Sequence, residues 1–331
     1  MSISIHPHPP RRRKPESSDF ANHDVIAGDY VGFTRGPDHY GIWHHKGDRL
    51  ELVGGNGVGN RAVIALPNGV PLTDAIKSHP DLSLNVPIVH RMALRPGTFY
   101  YRMARPEFSD WNSSPGRLPM DLYYDHDLTD ALLQVRSLIA RLEAILTVIH
   151  PTEDNLDVYG NEIRNLLILA STEVETQWRT VLVNNRYKIG SKDRLSTNDY
   201  VKLADAMRLP EYAFTFRLFP FVQDVTPFKD CSAAGSPTKD LPWYDAYNKV
   251  KHDRTGNFHE AKLSHAMSAI VACWTMIAAQ FGSSGMRELG DLNNYFVMTR
   301  APRWRFSEVY SSCFVHELPP TSTGEVCYPF T

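Results

Sequence analysis

Between residues 128 and 149 the apolar residues Leu128, Leu132, Val135, Leu138, Ile139, Leu142, Ile145, Leu146 and Ile149 recur at steps of three and four. That period places one continuous apolar stripe along an amphipathic helix of about six turns, and such a stripe has to be buried against other elements. Pro151 ends the helix. After the short loop at residues 151–155 a second stripe follows in the same phase, through Tyr159, Ile163, Leu166, Leu167, Ala170, Val174, Trp178 and Val181. Two long helices joined by a short loop form an antiparallel hairpin. A third long helix is expected from about Phe258 to Phe281, with Leu263, Ala266, Met267, Ile270, Cys273, Trp274, Ile277 and Phe281 as its buried side and Gly282 as its C-cap.

The period differs upstream. From about residue 24 to 111 short apolar runs such as YVGF, GIWHH, RLELVGG, RAVIAL and TFYYRMA are broken by Gly, Pro and Asn, which reads as β-structure. Arg49 to Val53 alternates and runs into Gly54-Gly55-Asn56-Gly57, with Arg61 to Leu66 as the returning strand of a hairpin. The glycines lack the Lys-Ser/Thr of a phosphate-binding loop and the spacing of a dinucleotide fingerprint. Asp125-His126-Asp127 is read as the N-cap and first-turn acids of the first long helix. Residues 186–241 are polar and irregular and read as an insertion, with a short helix over Asn198–Met207 and strand-like runs at Tyr212–Phe219 and Phe221–Val225. Pro242 then opens a short helix that Gly256 stops. The expected fold class is α+β: a disordered basic tail (1–23), a β-rich N-terminal domain (24–120), an antiparallel helical bundle (121–285) and a C-terminal β-like extension (286–331).

Composition excludes more than it assigns. Lys and Arg number 35 against 37 Asp and Glu, so global attraction to nucleic acid or an anionic membrane is ruled out and any such binding rests on a local patch. The longest apolar stretch, Ala269 to Phe281, is shorter than a bilayer span, and the N-terminus lacks a signal-peptide core; a cytoplasmic protein with no membrane span is expected. Cys231, Cys273, Cys313 and Cys327 are scattered without metal-ligand spacing, and neither metal nor cofactor is expected. His44 and His45, adjacent on a strand, point to opposite faces and rarely share an ion.

One segment concentrates chemistry. Residues 241–260 read LPWYDAYNKVKHDRTGNFHE, and Asn248, Lys251 and His252 share one helix face, with Arg254 following at the helix end. RNA cleavage by internal attack requires a base for the 2′-hydroxyl, an acid for the leaving oxygen and cations for the charge on phosphorus. Histidine serves both proton roles near neutral pH. Glu173 and Glu175 on the second helix either orient these basic groups or form a solvated face, and we favour the solvated face. KHDR itself also admits a structural reading, as a salt-bridge cluster tying the helix pair to the insertion.

The order of long helix pair, insertion, short Lys-His helix and long final helix resembles the HEPN superfamily of bacterial toxins, abortive-infection proteins and CRISPR-associated RNases, and uncharacterised bacterial proteins with the same KHDR segment. The resemblance covers residues 128–282. That family's signature is Arg, four to six residues, then His, commonly with a polar residue after the Arg. Two registers fit: Tyr247 to His252, with Asn248 in place but Tyr247 where the family has Arg; and Arg254 to His259, with both signature residues. The resemblance implies Asn248, His252 and Arg254 as the site, with His259 as a second histidine; Lys251 is added from helical spacing. It further implies a metal-independent endoribonuclease cutting tRNA or mRNA, toxin-like or antiviral in role, and a homodimer that forms the site between two copies. The β region lies outside the resemblance and, on position alone, is read as a sensing or regulatory part with room for a regulatory partner protein. The competing reading is a catalytically degenerate module, its signature broken by Tyr247, that binds a partner protein, RNA or nucleotide.

Overall fold

The structure, a computed structural model, describes residues 26–34, 40–55, 63–78, 89–106, 125–189, 194–232, 234–287, 292, 294–311 and 324–330. The fold is α+β. The basic tail, the hairpin turn at 56–62 and Cys313 lie outside the described residues.

Five strands, β1 (Tyr30–Thr34), β2 (Tyr40–His45), β3 (Arg49–Gly55), β4 (Val63–Ala65) and β5 (His90–Arg91), form an antiparallel sheet in the order β4-β3-β2-β1-β5. The hairpin expected from the alternation is β3 against β4, with Leu50 opposite Ile64. Both faces of the sheet are covered, so its strands carry apolar residues on each side. Val31, Phe33, Trp43, Leu50 and Ile64 pack with Ile76 of a short helix, α1 (Leu72–Ser78), that the strand-like pattern did not reveal. Ile42, Val53 and Met92 pack on the other face with Trp304, Phe306 and Val309, which come from the C-terminal region. Gly32 permits that approach: a Cβ there would stand 2.8 Å from Phe306 Cε1 and 2.9 Å from Met92 Sδ.

The first two stripes fold as α2 (Asp125–Leu146) and α3 (Asn161–Asn184), and the third as α8 (Leu263–Arg287). Between them lie α4 (Thr197–Tyr200), α5 (Lys202–Ala206), α6 (Pro242–His252) and α7 (Arg254–Asn257). α3 touches α2, α6 and α8. α8 is apolar nearly all round because it is enclosed nearly all round, from Ala266 to Phe281. Its Leu263–Gly282 stretch reaches the length and hydropathy of a membrane span, longer than the Ala269–Phe281 run, but is 83% buried inside the protein's own core. Gly282 breaks α8 at φ 66°, ψ −163°, a conformation open essentially to glycine, in agreement with its expected capping role.

Several boundaries differ from the sequence reading. Tyr159 is not in the buried stripe of α3: Gly160 is extended, the helix starts at Asn161, and Tyr159 lies outside it, half exposed. α6 stops at Asp253, which turns extended (φ −138°, ψ 91°) and caps α7 by accepting from the Gly256 amide at 3.0 Å; Gly256 falls inside α7 instead of ending α6. The single helix expected at Asn198–Met207 is the pair α4 and α5. Residues 186–241, read as an insertion, contribute Leu203, Met207, Leu209, Tyr212, Phe214, Phe216 and Phe228 to the same core as α2, α3, α6 and α8. β7 (Ala213–Phe216) pairs with β8 (Phe296–Arg300). In the C-terminal extension β9 (Gly324–Val326) runs parallel to β6 (Thr98–Tyr100).

Buried arginines join the parts. Arg105 stacks over Tyr100 and Trp304 at 4.8 and 4.7 Å from their ring centroids and donates to the Glu308 carbonyl at 3.0 Å. Arg102, in a left-handed backbone conformation (φ 52°), donates to Gln280 Oε1 at 2.8 Å and to Asp127 Oδ2 at 2.5 Å. Asp127 thus serves a tertiary ion pair as well as the first turn of α2.

Candidate functional site

α6 forms where the sequence places Pro242 at the first turn and buries Trp243, Tyr244, Ala246, Tyr247 and Val250 on one side. Lys249, Lys251 and His252 collect in its last turn, where cations complement the helix dipole. Arg164 of α3 adds to this by donating to the Val250 carbonyl at 3.2 Å.

Tyr247, at the Arg position of the first register, is 0% exposed. Its hydroxyl donates to Glu175 Oε2 at 3.2 Å, the Tyr244 hydroxyl donates to Glu175 Oε1 at 2.5 Å, and Lys251 Nζ donates to the Tyr247 oxygen at 2.6 Å. Glu175 is therefore the anchor of α6 on α3 and no solvated carboxylate. Burial, then the Glu175 contact, pushes the Tyr244 phenol far above the ordinary tyrosine range. The bond to Tyr247 holds the Lys251 ammonium above the ordinary lysine value. Glu173 points elsewhere: it accepts from Gln177 Nε2 at 2.9 Å, and burial raises its carboxyl above the ordinary value of 4.5.

Asn248 is half buried and donates to the Tyr244 carbonyl at 2.9 Å, one turn back on its own helix. His252 is exposed and makes no hydrogen bond or ion pair among the described residues. Arg254, exposed on α7, donates to Asn161 Oδ1 at 2.8 Å, and no carboxylate neutralises it among the described residues. His259 is 61% exposed and reaches only Glu260, at 4.0 Å. KHDR is thus not a salt-bridge cluster. The lysine in ion pairs is Lys249, with Asp245 at 3.0 Å and Glu260 at 2.8 Å, and the carboxylate of Asp253 is occupied in capping α7.

The five sequence-derived residues lie within one short stretch, but no hydrogen bond joins any two of them. Lys251, His252, Arg254 and His259 face solvent, whereas Asn248 is spent inside α6. Sequence reasoning missed Asn161, which holds Arg254, and undervalued Glu175. Asn161 carries no signal beyond its place at the start of α3; for Glu175 a carboxylate among the apolar positions of α3, facing a helix rich in tyrosine, was the available sign. Among the described residues no group of three or more His, Cys, Asp or Glu is placed to hold a metal ion. No protein-family model, curated protein or solved structure matches the chain.

Proposed function

We propose that the α6–α7 end of the helical bundle binds the phosphate backbone of RNA, as a HEPN-like module acting in the cytoplasm. One observation carries this reading. Lys251, His252, Arg254 and His259 are presented to solvent over nine residues with no carboxylate within ordinary ion-pairing distance of Lys251, His252 or Arg254, while the neighbouring Lys249 is neutralised twice over. A local patch of this kind supplies phosphate affinity in a chain whose overall charge does not. The burial of Tyr247 speaks for binding over catalysis in the first register, because that position offers no guanidinium and no access.

A second reading is metal-independent cleavage in the Arg254–His259 register, favoured by the exposure of two histidines, His252 and His259. In that reaction one imidazole takes the proton of the 2′-hydroxyl, the oxygen attacks phosphorus, the 5′-oxygen leaves with a proton from another imidazole, and a 2′,3′-cyclic phosphate remains. It calls for two copies of the chain facing each other, and its setting would be toxin-like or phage defence.

The test is fluorescence anisotropy with labelled RNA across a salt series, alongside incubation of total RNA with the protein in EDTA. Binding is expected to weaken as salt rises, and Arg254→Ala to reduce the slope of log K against log salt by about 0.7, the share of one phosphate contact. Cleavage that persists in EDTA and disappears in both Arg254→Ala and His259→Ala would select the catalytic reading. Absence of binding at low salt by a folded wild type would refute both.

A further inference from the structure

Two aromatic rings stand beside these cations. Tyr159 is 51% exposed although the periodicity of its neighbours places it in a buried stripe. Its ring meets that of Phe258 edge to face, with centroids 5.6 Å apart and planes at 87°, and the Arg254 guanidinium lies 5.9 Å from the centroid of Phe258. The exposure of Tyr159 leaves ring surface open to another aromatic system, while Phe258, partly buried, backs it.

The two segments that carry the rings are laced together by backbone. Tyr159 bridges Lys262, the Leu263 amide donates to the Val158 carbonyl and the Ser264 amide to the Leu156 carbonyl, each at 2.9 Å. Lys262 also pairs with Asp157 at 2.9 Å. The side of Arg254 is fixed by Asn161, at the start of α3 just beyond Tyr159. The backbone segments that carry the rings are consequently set before any ligand arrives, which lowers the ordering cost of binding.

Resting on the RNA-binding reading above, we infer that Tyr159, backed by Phe258, forms a stacking platform for an unpaired nucleobase, with Arg254 on the adjoining phosphate, so that the ligand is single-stranded RNA. A duplex keeps its base faces in its own stack and offers the protein only backbone and groove. A single strand can lay a base on a ring of any sequence preference.

The experiment uses the full chain and two labelled probes, a 20-nucleotide single strand and the duplex formed with its complement, read by anisotropy at fixed salt. Tyr159→Ala and Tyr159→Leu are expected to weaken single-strand binding about tenfold while leaving the duplex affinity unchanged, and Tyr159→Phe to retain wild-type binding. Tyr159→Leu keeps an apolar side chain against Phe258, and matching circular dichroism and unfolding midpoints establish that the variants fold. If the wild type binds RNA but the Tyr159 variants change neither probe, or both equally, the platform is overturned while the backbone-binding reading stands. If the wild type binds neither probe, the reading beneath it fails first.

Discussion

Tyr247 closes the first of the two registers proposed for the segment. A side chain with no solvent contact, tied to Glu175 and covered by Lys251, is part of the packing between α6 and α3. An arginine placed there is not expected to create a site. Tyr247→Arg would bury a guanidinium where a phenol now sits, and even with Glu175 as partner the exchange is expected to cost about 1–4 kcal/mol, seen as a lowered denaturant midpoint, with no gain in RNA cleavage. A stable variant that cuts RNA would show the position to be accessible and the register to be live. The sequence made the spacing of Asn248, Lys251, His252 and Arg254 legible because side-chain periodicity on a helix is local. It hid the partners, since Glu175 and Asn161 reach the segment only through tertiary packing.

At the level of elements, the three long stripes were readable because each repeats one signal over many residues. Some boundaries were not, being set by single residues: Gly160 extended ahead of α3 and Asp253 turning extended between α6 and α7, whereas Gly282, legible as a cap, is where α8 breaks. Residues 186–241 read as irregular for a different reason. Their apolar residues are spaced without a period, yet Leu203, Phe214 and Phe228 are each fully buried, because short helices and a single strand fill the core without displaying a continuous face. Gly282 gives the sharpest test at this scale. At φ 66° and ψ −163° a Cβ is strained whatever space surrounds it, so Gly282→Ala is expected to destabilise by about 1–3 kcal/mol in chemical denaturation. A neutral outcome would mean that α8 continues past this point without a break.

Across the molecule, the parts are joined by buried polar groups that no local pattern announces. From Arg102 a chain of bonds passes to Gln280, from Gln280 Nε2 to Gln177 Oε1 at 3.1 Å, and from Gln177 to Glu173, linking the segment after β6 to α8 and α3. Because burial raises the Glu173 carboxyl in the folded state, its contribution is present in full below the ordinary value of 4.5 and is lost as pH rises through the raised one. Glu173→Gln keeps an acceptor for Gln177 and removes that loss. The variant's melting temperature relative to wild type is therefore expected to climb as the pH is raised above 4.5. A gap that stays constant over this window would show that Glu173 does not titrate against burial.

The parallel pairing of β6 with β9 also sets an order of events during synthesis. Thr98, Phe99 and Tyr100 leave the ribosome more than two hundred residues ahead of Gly324, Glu325 and Val326, the strand they pair with. Trp304 and Phe306, which cover one side of the N-terminal sheet, are also made late. The nascent sheet therefore waits with Ile42, Val53 and Met92 bare, in the condition that holds chaperones on a growing chain, and closes only after Trp304, Phe306 and Val309 have emerged.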